Sequence, residues 1–374
     1  MNVGVIGCGN ISSAYFKNGL IFNQMKISAC ADINAHAAEI KAWEFGLRQM
    51  KVDEMLSCPE IDIILNLTTP QAHVEVNRMA LEAGKHVYCE KPFGLDREGA
   101  QAVLDLAEKK GLKVGCAPDT FLGGGHQACR RLIDSGMIGR ITSGTAFMLC
   151  HGHEAWHPAP GFYYKKGGGP LFDMGPYYLT ALVNLLGPVR KVMAMTNRSS
   201  DIRDGIKAND GKTFPVEIDT HVTALLEFVS GAIITLITSF DVWKHSDYKD
   251  IELYGTEGCL HLPDPNCFSG DLRFFCAGLS ADWSKADNPN IYNDNTRGIG
   301  LADMAAGITL KRPHRCNGTL AFHVLDVMCA ICESNKTDRA VVISSTCEKP
   351  AALPQGLRSG ELDLPESATK RKRK

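Results

Sequence analysis

A chain that opens Asn2-Val3-Gly4-Val5-Ile6 and runs straight into Gly7-Cys8-Gly9-Asn10-Ile11-Ser12 has few folds open to it. The first five residues read as a buried strand, the glycines as a tight turn, and the residues after them as a helix. In such a unit the first glycine permits the turn, and the second lets the backbone approach a pyrophosphate at the positive end of the helix. Ser12 stands where a third glycine usually serves helix-strand packing, a change that a small side chain tolerates. A second apolar run, Lys26-Ile27-Ser28-Ala29-Cys30-Ala31, ends in Asp32, at roughly the offset where an acid takes the hydroxyls of an adenosine ribose. A carboxylate there repels a 2′-phosphate, so the expected cofactor is NAD rather than NADP. An ordinary turn and a solvated acid would use the same letters; the order strand, glycines, helix, acid favours the dinucleotide.

Strand and helix patterns keep alternating: an apolar run Ile61 to Leu67, a helical stretch His73 to Ala83, the strand His86-Val87-Tyr88-Cys89, a helix Arg97 to Lys110 and a strand Lys113 to Ala117. Repeated β-α units predict a doubly wound parallel sheet. After a helix near His126 to Ser135 the pattern changes, and strands dominate: Thr142 to Cys150, Val189 to Met195, and a hairpin in which Ser230-Gly231 joins 221–229 to 232–240. A turn Gly255-Thr256-Glu257-Gly258 joins two more. The fold class expected is therefore α/β plus α+β: an N-terminal doubly wound domain over 1–120, and a second domain over 121–345 built on a large, mostly antiparallel sheet. Nothing in the hairpin's apolar run suits it to face water, which points to a homo-oligomer, dimer or tetramer, formed through that face. Residues 346–374 turn polar and end in Lys370-Arg371-Lys372-Arg373-Lys374. They read as a disordered solvated tail rather than a nucleic-acid arm, because the formal net charge of -2 leaves no basic patch to cooperate with it.

At 374 residues the chain exceeds one typical core, in line with two domains. Its 14 cysteines are scattered through strands and helices rather than spaced as a disulfide framework. The first strand leaves no room for a signal peptide, and no apolar run reaches membrane-spanning length, so the cytoplasm is the expected compartment. Cys329 and Cys332 have C-x-x-C spacing but no second pair, and read as core packing.

Glu90-Lys91-Pro92 places an ammonium at the end of the strand His86-Val87-Tyr88-Cys89, where open α/β sheets bind ligands. In the second domain the segment 167–178, Gly-Gly-Gly-Pro-Leu-Phe-Asp-Met-Gly-Pro-Tyr-Tyr, supplies further candidates. A glycine run lets backbone approach a ligand, and Pro176 suits the first turn of an apolar helix over Tyr178 to Leu186. Asp173 and Tyr177, four apart, would share one face of that first turn; a helix-capping acid and a buried tyrosine would have the same spacing. The stretch His151-Gly152-His153-Glu154-Ala155-Trp156-His157-Pro158 offers an indole to stack on a sugar and imidazoles to bond it. It reads as a substrate-lining loop through His153, Trp156 and His157, with Tyr163, Tyr164 and Lys165 extending the wall. A loop held by satisfied histidines is the alternative, and a zinc site is disfavoured because the cofactor already supplies the chemistry.

Taken together, Gly7-Cys8-Gly9-Asn10-Ile11, Ala31-Asp32, Thr69-Pro70 with His73, Glu90-Lys91-Pro92, the 167–177 segment and the 255–258 turn resemble the glucose-fructose oxidoreductase, inositol dehydrogenase and MocA (Gfo/Idh/MocA) family over nearly the whole chain. The resemblance implies a Rossmann domain, a substrate domain whose sheet commonly forms the oligomer interface, and reversible hydride transfer between NAD and a ring carbon of a sugar, glycoside or cyclitol. By position it makes Gly7, Gly9, Asn10, Ile11, Asp32, Thr69, Pro70, His73 and Glu90 cofactor-binding. It makes Lys91 catalytic and Asp173 a substrate-hydroxyl ligand. At 177 many members carry a histidine as the proton donor or acceptor, and some carry tyrosine. Lys91 and Tyr177 thus compete for the acid/base role, and each needs its pKa pulled down by roughly two to three pH units to act as a base near neutrality. An NAD-assisted glycosidase and a non-catalytic NAD- and sugar-binding regulator are the alternative functions on the same fold.

Overall fold

The computed structural model describes residues 1–157, 159–205, 212–244, 246–248, 250–279 and 281–364. Its first sheet is built from β1 (Asn2–Ile6), β2 (Lys26–Ala31), β3 (Arg48–Gln49), β4 (Ile63–Asn66), β5 (His86–Cys89) and β6 (Val114–Cys116). These pair in parallel in the order β3-β2-β1-β4-β5-β6, the doubly wound arrangement, with its switch point between β1 and β4. The short apolar runs suit it: β4 is buried at every position, as a strand covered on both faces must be. The helices α1 (Ser12–Asn18), α2 (Ala35–Phe45), α3 (Val52–Ser57), α4 (His73–Glu82) and α5 (Arg97–Lys110) make the connections. Local sequence ends them where expected: Asn34 and Asp96 cap α2 and α5 with their side chains, and Gly46 and Gly111 take left-handed conformations past their ends.

After α6 (Gly124–Asp134) the chain builds a second sheet from β7 (Ile141–Leu149) and β8 (Val189–Asn197), then, past the small pair β9 (Ile202–Asp204) and β10 (Thr213–Pro215), from β11 (His221–Phe228), β12 (Ile233–Ser239), β13 (Asp250–Gly255), β14 (Gly258–Leu262), β15 (Arg273–Cys276), β16 (Ser284–Lys285) and β17 (Val341–Val342). The order is β16-β15-β14-β13-β7-β12-β11-β8-β17, antiparallel except for β12 against β7. Two helices, α7 (Gly169–Leu186) and α9 (Gly318–Thr337), pack against this sheet, while α9 and α8 (Ile299–Leu310) also reach β6 of the first. Arg97 on α5 fastens the junction, its Nε 2.6 Å from Asp326 Oδ1 and its Nη1 2.9 Å from Glu333 Oε2, both on α9. Cys329 and Cys332 lie half-buried on α9.

The structure departs from the sequence reading at the C-terminus. Residues 346–364 form an extended strap in which Cys347, Leu353, Leu357 and Leu362 are buried. The strap is tied down by buried donors: Arg130 Nη1 to Pro350 O at 2.8 Å, Arg315 Nε to Ala351 O at 3.0 Å, and Leu353 N to Gln127 Oε1 at 2.7 Å. A strap broken by Pro350 and Pro354 has no helical or strand period, so its apolar residues give no pattern to read. Residues 365–374, the basic end of the expected tail, lie outside the described residues. The strap predicts that Leu362→Ala, which removes a fully buried side chain, lowers stability by about 2–5 kcal/mol. The midpoint of urea unfolding reads this, and an unchanged midpoint would restore the solvated tail.

Candidate active site

The carboxyl ends of the parallel strands bring the first half of the site together. Gly7 follows β1 with φ +107°, and a Cβ there would lie 2.5 Å from the Leu67 carbonyl oxygen, so only glycine lets the turn pass the end of β4. Nothing lies within 4 Å of the corresponding point at Gly9, which with Asn10 is exposed: the turn faces open space. Ser12 is buried and donates through Oγ to Gly9 O at 2.7 Å, closing the loop where a third glycine would have packed. Ile11 is the N-cap of α1. Asp32, just past β2, accepts from Cys8 N at 2.7 Å and from Asn34 N at 2.8 Å, so its carboxylate is locked against the glycine turn. An open glycine turn, a helix start and a fixed acid in one crevice suit a dinucleotide.

Thr69 is exposed and Pro70 half-buried at the mouth of this crevice. His73 goes elsewhere. It is buried, with Nδ1 2.7 Å from Pro92 O and Nε2 3.0 Å from Thr68 O. Carbonyl oxygens only accept, so both ring nitrogens carry hydrogen and the ring is an imidazolium. Burial opposes that charge, but the neighbouring Cys89 and the two carbonyls outweigh it and push the pKa up to about 9. His73 thus clamps two strand-end turns together beneath the crevice rather than reaching a nucleotide. Glu90 is likewise committed: its Oε1 accepts from Tyr15 Oη at 2.9 Å and its Oε2 from Lys91 N at 2.9 Å.

Lys91 leads across to the second half. Its Nζ donates to Asp173 Oδ1 and to the Asp173 carbonyl, each at 2.7 Å, and sits 5.2 Å from the centre of the Tyr177 ring. The other carboxylate oxygen, Oδ2, lies 2.7 Å from His153 Nε2. One acid therefore joins an ammonium from the first sheet to an imidazole from the loop after β7. Side-chain exposures of 15% for Lys91 and 14% for Asp173 make this a nearly buried pair that still opens on the crevice. Burial opposes both charges, yet each supports the other: Asp173 holds Lys91 above the ordinary lysine range, and Lys91 with His153 holds Asp173 below the carboxylate range.

Three local expectations need correcting. The first concerns the glycine run, where protein packing by itself already requires the missing side chains: a Cβ at Gly167 would lie 2.5 Å from Leu95 Cδ2, and one at Gly168 2.3 Å from Tyr163 O. Second, α7 starts at Gly169 with Pro170 in its first turn, leaving Asp173 and Tyr177 in its second and third turns and Pro176 in its interior. The i, i+4 face survives the shift, since the Lys91 ammonium reaches both. Last, the expected lowering of the Lys91 or Tyr177 pKa is absent. Lys91 is raised, and burial pushes the Tyr177 phenol up despite the opposing pull of Lys91 and Arg297.

Around His153 stand Tyr163, Phe240 and Trp156, with ring centres 4.2, 4.9 and 5.2 Å away. His157 sits beyond, 5.3 Å from both Trp156 and Tyr163. Trp156 is 60% exposed, at the rim. Tyr164 leaves the wall: it is buried and bonds Glu154, which pairs with Arg203. Lys165 is exposed, and His151 stacks on Trp243 at 3.8 Å. Pro158 lies outside the described residues. Sequence reasoning missed Arg297, whose guanidinium stands against the Tyr177 phenol, and Asp119, buried after β6 and accepting from Gly298 N at 2.8 Å and Gly300 N at 3.1 Å. The strand-end argument that found Lys91 would also have found Asp119; Arg297 arrives from a distant loop with no local signal.

The charged pair gives a prediction with a definite sign. Lys91→Met strands a buried carboxylate and lowers stability by about 3 kcal/mol at neutral pH. Because Asp173's pKa is lowered on folding, the pair's contribution is present above about pH 4 and fades as pH falls through the folded value. Urea unfolding near pH 7 and near pH 3 should give a large difference between wild type and variant at the first and a smaller one at the second.

The model of the oxidoreductase family with an NAD-binding Rossmann fold matches residues 1–117, and the GFO/IDH/MocA C-terminal domain matches residues 126–261. The chain is 24% identical over 290 residues to a levoglucosan dehydrogenase from Pseudarthrobacter phenanthrenivorans, covering 70% of this chain and 73% of that protein. To the D-glucoside 3-dehydrogenase of Escherichia coli it is 29% identical over 259 residues, covering 64% and 70%. To the inositol 2-dehydrogenase of Rhizobium meliloti it is 25% identical over 257 residues, covering 69% and 74%. Among solved structures, a levoglucosan dehydrogenase in complex with NADH and L-sorbose superposes with a TM-score of 0.79 at 21% identity, covering 92% of this chain and 99% of that one. An NAD-binding oxidoreductase from Klebsiella pneumoniae gives 0.78 at 22% identity, with the same coverage. These superpositions establish the shared fold.

Proposed function

Because this chain belongs to the GFO/IDH/MocA family of oxidoreductases, with their NAD-binding Rossmann domain at its N-terminus, we propose that it is a dehydrogenase acting on a ring CH–OH of a sugar, glycoside or cyclitol. The observation that carries this is the Lys91–Asp173–His153 chain of contacts, which sets an ammonium and an imidazole side by side at the ligand-binding edge of the first sheet. Three relatives are named for ring-hydroxyl substrates, levoglucosan, a glucoside and inositol, which supports the same class here.

NAD bound along the glycine turn supplies the acceptor for the hydride that leaves the substrate carbon. Gly7 holds the tight turn and Gly9 would leave room for the pyrophosphate, with Asn10 and Ile11 at the helix start, and the Asp32 carboxylate would take a ribose and reject a 2′-phosphate. Lys91, held protonated by Asp173, donates to the substrate oxygen and stabilises negative charge as it develops there. Tyr163 and Trp156 offer apolar ring faces to a sugar, and His157 offers a polar edge. Tyr177 stays a neutral phenol beneath the ammonium. The 14 cysteines are scattered through strands and helices rather than spaced as a disulfide framework, which fits a reducing compartment such as the cytoplasm. Met193, Met195, Leu225 and Ile233 stand exposed on strands β8, β11 and β12, an apolar area suited to a second copy of the chain.

A spectrophotometric screen of sugars, glycosides and inositols with NAD⁺ tests the proposal. NADH should form with at least one of them, and Lys91→Ala should lose roughly 10³-fold in kcat while still binding NAD. Substrate conversion without any NADH would sink the dehydrogenase reading, and tighter binding of NADP⁺ than NAD⁺ would sink the role given to Asp32. For the sheet face, sedimentation should give a dimer or tetramer at micromolar concentration, shifted toward monomer by Met195→Glu with Leu225→Glu; a wild-type monomer would remove the interface.

A further inference from the structure

We infer that His153, held by Asp173, is the group that takes the proton from the substrate hydroxyl in the oxidising direction and returns it in the reducing one. The inference rests on the dehydrogenase reading above. Its first support is geometric. Asp173 Oδ2 lies 2.7 Å from His153 Nε2, and an ionised carboxylate can only accept. Nε2 therefore carries the hydrogen, and in the neutral ring Nδ1 holds the lone pair. Among the described residues Nδ1 has no protein hydrogen-bond partner, while the side chain keeps 14% exposure. A ring fixed at one nitrogen by a carboxylate, with the other nitrogen free, is the arrangement in which imidazole serves as a base.

The second support comes from the competitors. Lys91 Nζ is already engaged by two oxygens of Asp173, which hold it as an ammonium; Tyr177 is buried as a phenol. Neither is positioned to accept a proton, whereas the His153 imidazole keeps a lone pair on Nδ1 while Nε2 holds the carboxylate. The groups that face His153 are Asp173 from α7, with Lys91 behind it, Tyr163 and His157 from the same connecting segment, and the uncharged Phe240 and Trp156. The aromatic edges fix the ring plane, and the shared carboxylate fixes its distance from the ammonium. Because Nδ1 lies across the ring from the carboxylate that also holds Lys91, the substrate oxygen bonded to Lys91 passes its proton to Nδ1 through one bridging water.

Atoms and charge balance. The hydroxyl O–H bond breaks and an Nδ1–H bond forms; the electron pair left on oxygen closes the C=O bond; the C–H pair leaves as hydride, reducing NAD⁺ to NADH. His153 then gives its proton to water, and the reverse sequence reduces a ketone.

Two measurements test this. In the cofactor-free protein, ¹⁵N-histidine NMR near pH 8 should show His153, assigned by the resonances lost in His153→Gln and His153→Asn, as the Nε2–H tautomer; an Nδ1–H tautomer overturns the inference. With the best substrate of the screen, wild-type kcat/KM should fall at acid pH as His153 becomes protonated. His153→Gln, which keeps an amide donor for Asp173, should lose about 10²–10⁴-fold in kcat together with that acid limb while binding NAD normally. His153→Ala should regain activity with added imidazole, and Tyr177→Phe should keep the limb. A His153→Gln enzyme within about threefold of wild type with the limb intact, or loss of the limb in Tyr177→Phe instead, overturns the assignment and leaves the dehydrogenase standing. A wild-type protein that reduces NAD⁺ with none of the ring alcohols sinks the dehydrogenase and this role with it.

Discussion

The Asp173 carboxylate is the point on which the two halves of this molecule converge. It sits on α7, which packs on the second sheet, and receives the Lys91 ammonium from the end of β5 and the His153 imidazole from the loop after β7. A buried acid with two cationic or donor partners fixes three side chains at once, because leaving any of them unpaired in a poorly solvated cleft is costly. Geometry that would otherwise depend on three loops depends on one helix.

That helix is in turn held by the architecture. Packing of α7 against β7, β11 and β12 sets its height above the second sheet, and α9, which touches both sheets, sets the second sheet against the first. Arg97 crossing to Asp326 and Glu333 is the polar part of that junction. Gly167 and Gly168 belong to the same argument: lacking side chains, they let the start of α7 close on Leu95, four residues past Lys91, and on Tyr163. The distance between ammonium and carboxylate is thereby set by backbone packing on both sides of the cleft.

Much of this was legible in the residues. The glycine turn, Asp32, the strand ending at Cys89 and the Ser230-Gly231 hairpin all carry local signals of period or turn chemistry, and the structure contains each of those elements. Lys91 and Asp173 were legible because a strand end and a motif marked them. What stayed hidden has a common cause: it depends on which partners tertiary packing supplies. His73 stands beside the cofactor motif yet spends both ring nitrogens on the carbonyls of Thr68 and Pro92. The sequence marked His153 only as one histidine among several, because nothing local says which carboxylate it meets. The strap over 346–364 buries its leucines without any period.

The competition between Lys91 and Tyr177 is decided by the same carboxylate. Read from the sequence, one positive charge had either to create a tyrosinate or to disappear and leave an amine as the base. With Asp173 bonded to it at 2.7 Å, the ammonium does neither, since its charge is largely neutralised where it stands. What reaches Tyr177 is a compensated dipole, and burial of the phenol outweighs it even with Arg297 alongside. The tyrosine is left as an electron-rich face under the ammonium, a contact that favours keeping the lysine charged. A site built this way holds its cation permanently, so the proton must move on a group that can change charge without breaking the Lys91–Asp173 pair. An imidazole on the carboxylate's other oxygen meets that condition: on becoming cationic it strengthens its own bond to Asp173 while Lys91 stays in place.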